Sequence, residues 1–347
     1  MKSRIDILAI AGACLLLVAA STFACTRAVY QGPDGMIITA RSMDWKEEIP
    51  ANLWLFPRGM ERNGAVGPNS VTWTSKYGSV VTSAFDISST DGMNEKGLVA
   101  NLLWLAESSY PEYGPDKKGL TVAAWVQYVL DNFATVEEAV DALRSESFVV
   151  VSADIPGTER FATLHLSISD AKGDNAIFEY IDGKLVIHHD MSYTVMTNSP
   201  VFEQQLALNA YWRQIGGLTM LPGTNRAADR FVRASFYMDA IPRTSDTRTA
   251  VASVFSVIRN ASVPFGIASE EEPNISSTRW RSVSDQKNLV YYFETALTPN
   301  TLWVDLKGAN FSTGSPVRKL SLANHEIYTG NALEKFEVSE PFTFAGL

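Results

Sequence analysis

Cysteine is scarce in this chain: two, Cys14 and Cys25, among 347 residues. Cys14 lies inside an apolar leader. A chain that has lost the leader therefore keeps one thiol and has no internal disulfide, the usual reinforcement of exported proteins. Histidine is nearly as rare. His188 and His189 are neighbours on an expected strand and point to opposite faces. Neither His165 nor His325 stands at metal-ligand spacing from them, so no metal site is expected. Positive charge is in deficit, 29 Lys and Arg against 38 Asp and Glu for a formal net charge of −9. That balance argues against nucleic acid and anionic membrane surfaces as partners. No G-x-S-x-G elbow occurs, which removes the serine nucleophile of the α/β-hydrolases. After the leader no apolar run approaches the ~18 residues of a spanning helix. No repeat, low-complexity tract or long linker divides the remainder.

What is present is unevenly distributed. Lys2 and Arg4 open the chain, residues 7–20 are apolar, and Ser21-Thr22-Phe23-Ala24 leads up to Cys25. Small residues stand one and three positions before Cys25. This three-part pattern predicts a secretory signal peptide over residues 1–24 and one mature domain over 25–347, exported to the periplasm or secreted. The mature chain is expected to be soluble, with no stable membrane insertion.

Three fates for Cys25 follow. Acylation would make the chain a lipid-anchored binding protein, but Thr22 and the bulky Phe23 fit that processing poorly. An inert buried thiol is the ordinary condition of a free cysteine, and its position directly after Ala24 argues against that. The third fate is an N-terminal nucleophile. An α-amine has a pKa near 8 and a thiol one of about 8.5. Carried on one residue, the amine can take the thiol proton directly or through one water, giving the nucleophilic thiolate without a histidine. A peptide nitrogen is not a base, so leader removal and activation would be one event.

Strands are expected over 36–41, 98–105, 164–169, 176–180, 184–188 and 193–197, several with clear alternation. Turn residues punctuate them at 33–35, 172–174 and 182–183. Helical periodicity covers 121–133. Thr135 and Glu138 have capping-box spacing at the start of a second helix. A third runs over 227–241, with Phe231, Ala234, Ser235 and Met238 on one face. Residues 268–278, acidic and serine-rich, read as an exposed loop. Consecutive hairpins with helices grouped apart suggest antiparallel sheets covered by helices, an α+β fold.

Cys25-Thr26-Arg27-Ala28-Val29-Tyr30, continuing to Ile38-Thr39-Ala40-Arg41-Ser42-Met43-Asp44-Trp45, resembles the start of a mature choloylglycine hydrolase. That family contains bile salt hydrolases and penicillin V acylases. Further matches are Asp91-Gly92-Met93-Asn94-Glu95-Lys96-Gly97-Leu98, Thr197-Asn198-Ser199-Pro200, and Leu221-Pro222-Gly223 leading to Asp229-Arg230-Phe231, in the family's order along nearly the whole mature chain. The resemblance implies the four-layer αββα sandwich of N-terminal nucleophile hydrolases. It also implies cleavage of linear amide C–N bonds without metal or cofactor, and a homo-oligomer, a tetramer in many relatives.

It implies roles too. Cys25 is nucleophile and base, Arg41 keeps the thiolate charged, and Asp44 orients the α-amine. Asn198 and the backbone N–H of Trp104 hold the oxyanion, and Arg230 is a second active-site arginine. On the residues alone, Arg41 and Asp44 read equally as an ordinary ion pair, Asn198 as a turn residue and Arg230 as a solvated helix charge. Trp104 stands where bile salt hydrolases carry an asparagine. Trp104 and Trp45 offer flat apolar walls to an aryl or alkyl acyl group. The stretch 101–108 is closer to Gram-negative penicillin V acylases, so penicillin V or another N-acyl amide, N-acyl homoserine lactones included, is the expected small-molecule substrate. Conjugated bile salts are the alternative.

Overall fold

The structure is a computed structural model describing residues 25–152, 154–155, 161–267, 276–298, 300–323 and 326–347. The expected signal peptide, His325 and residues 268–275 of the expected loop lie outside the described residues.

Side-chain alternation dictates the layering. Along Leu53–Phe56, Leu53 and Leu55 face one core while Trp54 and Phe56 face another. Val80 and Val81 divide the same way, as do Val99 with Leu103 against Ala100 with Leu102. A sheet apolar on both faces has to be covered on both. Here one face meets a second sheet and the other meets helices.

The doubly covered sheet has nine strands, in the order Lys184–His189, Asn175–Ile181, Leu164–Ser169, Val99–Trp104, Ser88–Asn94, Ser79–Ala84, Leu53–Phe56, Arg318–Leu320 and Glu337–Val338. Helices Trp125–Asn132 and Val136–Arg144 pack on its outer side. Opposite it stands a seven-stranded sheet: Val195–Thr197, Thr26–Gln31, Ile37–Trp45, Ser277–Asp285, Val290–Thr295, Leu302–Asp305 and Gly330–Asn331. Ala227–Ala240 and Thr247–Asn260 cover that sheet, with Phe202–Ile215 against Ala227–Ala240. The result is helix–sheet–sheet–helix, the four-layer αββα sandwich.

The 91–98 motif serves this packing. Asn94 Nδ2 donates to the carbonyls of Leu130 (2.9 Å) and Phe133 (2.8 Å), tying off the end of Trp125–Asn132. A Cβ on Gly92 would sit 2.5 Å from the Val80 carbonyl oxygen and 2.9 Å from a Leu130 methyl, so only glycine lets helix and sheet come this close. At Val136–Arg144, Thr135 accepts from the Glu138 N–H at 3.3 Å, and Glu138 reaches back to the Ala134 N–H at 2.8 Å.

The expected strands are all found, most within two residues at either end; Ile37–Trp45 runs four residues further. The helical stretch 121–133 divides into a 3-10 turn, Val122–Ala124, and the helix Trp125–Asn132. The expected exposed loop is corrected at its end: Ser276, Ser277 and Thr278 are buried, and Ser277 opens a nine-residue strand. The Ser277 and Thr278 hydroxyls find partners in that interior, while Ser276 Oγ is buried without one. Ser277 accepts from the Gly266 N–H at 3.0 Å and Thr278 from the Val263 N–H at 2.9 Å.

Candidate active site

Strands Thr26–Gln31 and Ile37–Trp45 form an antiparallel pair with Arg27 opposite Arg41 and Thr26 opposite Ser42. This register carries Cys25, one residue before its strand, beside Met43 and Arg41. Ile37–Trp45 then pairs with Ser277–Asp285, setting Thr278 opposite Asp44. One hairpin register and one pairing of strands distant in sequence thus bring three of the sequence-chosen residues together. Asn198 follows Val195–Thr197, which pairs with the other edge of Thr26–Gln31, Thr197 opposite Thr26. Arg230 comes from helix Ala227–Ala240 above the sheet.

Cys25 is buried, 2% exposed. Its Sγ lies 3.9 Å from Arg41 Nη2 and 3.9 Å from Met43 Sδ. Burial pushes the thiol above its ordinary pKa, and the Arg41 charge pulls it back. Arg41 is itself fixed: Nη2 donates to the Leu102 carbonyl at 3.1 Å, and the guanidinium stacks 4.3 Å from the centre of the Trp280 ring. Nε and Nη1 of Arg41 are buried without a hydrogen-bond partner.

The Cys25 nitrogen donates to Asn198 Oδ1. Arg230 reaches the same oxygen with Nη2 at 3.1 Å, and its Nη1 donates to the Cys25 carbonyl at 2.7 Å and to the Thr26 hydroxyl. Arg230 is fully buried, so the reading of it as a solvated helix charge gives way to one in which its guanidinium binds the backbone of Cys25. Asn198 Nδ2 donates to the Trp104 carbonyl at 2.8 Å, leaving one further N–H on that amide.

Asp44 does not make the bond to the Cys25 nitrogen in this structure; Asn198 does. The Asp44 carboxylate accepts from Thr278 and from the Ser42 hydroxyl at 3.3 Å, and Arg230 Nη1 stands 3.8 Å away. Its strand register aims it at Thr278, across the sheet. Burial raises its carboxyl to about 6, against the pull of Arg230 and Thr278.

A cavity of about 110 Å³ opens from the Cys25 thiol. Trp45 and Trp104 both line it, edge to face with ring centres 5.8 Å apart, and the rest of its wall is largely apolar. The structure thus gathers every residue singled out in the sequence around one thiol and one cavity.

Sequence reasoning missed Gln205. Buried on helix Phe202–Ile215, it donates to the carbonyls of Asn198 and Pro200 and accepts from the Thr197 hydroxyl at 3.0 Å. It holds the turn that presents Asn198. A glutamine seven residues after Asn198 was the available signal. Also unforeseen, His165 and His188 converge on Glu179, at 3.0 and 3.3 Å, while Glu179 accepts from the Phe202 N–H at 3.1 Å. Among the described residues no group of three or more His, Cys, Asp or Glu side chains is arranged to hold a metal ion.

A two-sheet sandwich with a buried thiol between two arginines at the mouth of an apolar cavity is the layout of an amide hydrolase. Residues 25–319 match the sequence profile of the linear amide C–N hydrolases, choloylglycine hydrolase family, and the chain belongs to that family. It is 56% identical to a penicillin V acylase of Pectobacterium atrosepticum, over 96% of this chain and 95% of that protein. A bile salt hydrolase/transferase of Clostridium perfringens is 29% identical, over 78% of this chain and 89% of its own length. Among solved structures, penicillin V acylase from Agrobacterium tumefaciens superposes with a TM-score of 0.88 at 61% identity, covering 93% of this chain and all of that one. A mutant of the conjugated bile acid hydrolase from Clostridium perfringens gives 0.72 at 26% identity, covering 88% and 98%.

Proposed function

We propose that this amidohydrolase is a penicillin V acylase-type enzyme, releasing an apolar aryl or alkyl acyl group from an N-acyl amide, N-acyl homoserine lactones included. Its nucleophile is Cys25, made N-terminal by removal of residues 1–24 on export to the periplasm or beyond. The observation that carries this reading is the pairing at Cys25: its sulfur faces an apolar cavity while its nitrogen is held by Asn198 beside Arg230.

The freed α-amine takes the thiol proton, and the Arg41 charge favours the thiolate. Sγ attacks the acyl carbon, and the carbonyl electron pair moves to oxygen. The remaining Asn198 N–H and the Trp104 backbone N–H stabilise that oxyanion. Collapse breaks the C–N bond, the leaving nitrogen takes the proton from the α-ammonium, and a thioester remains. Water then attacks the thioester and returns the thiol. Arg230 and Asp44 hold Cys25 in register; Nη1 of Arg230 bonds the Cys25 carbonyl and stands beside the Asp44 carboxylate. Trp45 and Trp104 grip the acyl group, and the working form is a homotetramer.

Identity to a penicillin V acylase well above that to any of the bile salt hydrolases compared favours the smaller acyl group over a steroid. The test is the exported protein itself. Intact mass and N-terminal sequencing are expected to find a free Cys25, and penicillin V and acyl homoserine lactones to be cleaved in preference to glycine- and taurine-conjugated bile salts. Cys25→Ser is expected to fold and lose nearly all turnover. A diacyl increment on Cys25, or a Cys25→Ser variant that still turns over, would falsify the mechanism; preference for bile salts would reverse the substrate assignment.

A further inference from the structure

We infer that Ala345 ends the acyl pocket, so that the segment 342–347 sets the length of acyl group the enzyme accepts. The inference rests on the proposed reading of the Cys25 cavity as the acyl site, and adds a specificity-determining residue that no sequence motif marks.

The cavity joins two separate cores. Near the thiol its walls are Met43 and Ile49, which belong to the core between the sheets. Val122, Ala123 and Ala162, also walls of the cavity, belong to the core beneath the outer helices of the nine-stranded sheet. Ala345 lines the cavity and packs against this second core. An acyl chain whose carbonyl carbon sits at Sγ starts in the first core and, following the cavity, meets the walls that belong to the second, Ala345 among them.

The segment is held on both sides of Ala345. The Ala345 N–H donates to the Ile87 carbonyl at 2.8 Å, and its carbonyl accepts from the Thr121 hydroxyl at 2.7 Å. Ile87 and Val122, next to Thr121, are themselves cavity walls. With both backbone groups tied to the walls, Ala345 is fixed as part of the cavity lining. Before it, Phe342 packs edge-on against Trp54 (5.2 Å) and Phe56 (5.7 Å), and Phe344 against Phe342 (5.4 Å). After it, Gly346 crosses so near Ala65 that a Cβ would stand 1.6 Å from the Ala65 oxygen. Aromatic anchors and this close crossing leave Ala345 little room to retreat, so a larger side chain there fills the cavity instead of moving the backbone.

The experiment measures kcat/KM for straight-chain N-acyl homoserine lactones from butanoyl to dodecanoyl on the processed enzyme and on Ala345→Phe, Ala345→Val and Ala345→Gly. The readout is the ratio of the longest to the shortest acyl chain within each protein, which does not depend on how much of the sample is folded. Each methylene at a hydrophobic wall is worth about 10-fold or more in discrimination. Ala345→Phe is therefore expected to lower the ratio at least about 10-fold, with Ala345→Val intermediate and Ala345→Gly raising it. An unchanged ratio in all three variants, or an equal loss at every length, overturns the inference while leaving the acyl-pocket reading intact. A wild-type enzyme that cleaves penicillin V but none of these lactones overturns the inference alone, and one that cleaves neither overturns that reading and the inference with it.

Discussion

Two of the buried clusters of charged side chains within this sandwich differ in what they leave unsatisfied. Around Glu179 the carboxylate itself is matched: His165, His188 and the Phe202 N–H converge on it, while His165 Nε2 is left buried without a partner. Burial pushes that carboxyl up, but the hydrogen bonds from the two histidines prevail and hold it at about 2. Around Cys25 the matching is incomplete. Arg41 keeps two buried nitrogens without partners, the thiol is raised by burial, and the Asp44 carboxyl is raised to about 6. Burial of charge is common to both clusters; a cavity opening onto incompletely matched groups belongs to one. That difference separates a cluster that holds the fold from one able to do chemistry.

Removing a partner from each cluster sharpens the contrast. Glu179→Ala strands two imidazoles and a backbone N–H, and is expected to lower the unfolding free energy by about 3 kcal/mol or more, read by denaturant titration. The kcat of molecules that remain folded should change little by comparison. Asn198→Ala is expected to do the reverse: if the proposed oxyanion role holds, kcat falls about 100- to 1000-fold, with a smaller effect on stability. Equal stability losses in the two variants would break the distinction.

The smallest effect lies in pH dependence, where the clusters carry opposite signs. Asp44 has its folded pKa raised from 3.8 to about 6, so in that window the folded chain binds more protons than the unfolded one, and stability falls as pH rises. Glu179 is depressed from 4.5 to about 2, so its contribution is complete above 4.5 and is lost as pH falls through 2. In Asp44→Asn the downward slope between pH 3.8 and about 6 should flatten, as followed by thermal midpoints across that range. A slope identical to wild type would remove Asp44 as its source.

Where the sequence alternates strictly, the fold could be read from it, as at Leu164–Ser169, whose boundaries are those expected. Ser277–Asp285 was hidden because its interior is lined with hydroxyls and arginine, residues that carry no apolar period and depend on partners distant in sequence. Phe202–Ile215 was hidden for the opposite reason: among its residues only Phe202, Gln205 and Asn209 are buried, too few for a stripe. Thr247–Asn260 did carry a legible stripe in Val251, Val254, Phe255 and Ile258, and Asp246 caps it through the Thr249 N–H at 2.8 Å. In the site, Cys25 was legible from its place directly after Ala24, and Arg41 and Asp44 only through the resemblance of residues 25–45 to the family's opening motif. Gln205 and Ala345 were not, since each acts through a tertiary contact that leaves no local pattern.

The crossed indoles of Trp45 and Trp104, at 5.8 Å and 65°, give the enzyme an intrinsic optical reporter. Chromophores set at such an angle and separation couple, and their near-ultraviolet circular dichroism and emission depend on mutual orientation. A molecule that wedges between or beside them alters that signal without dye, label or turnover, so occupancy of a chemically silenced Cys25→Ser protein can be titrated directly by light.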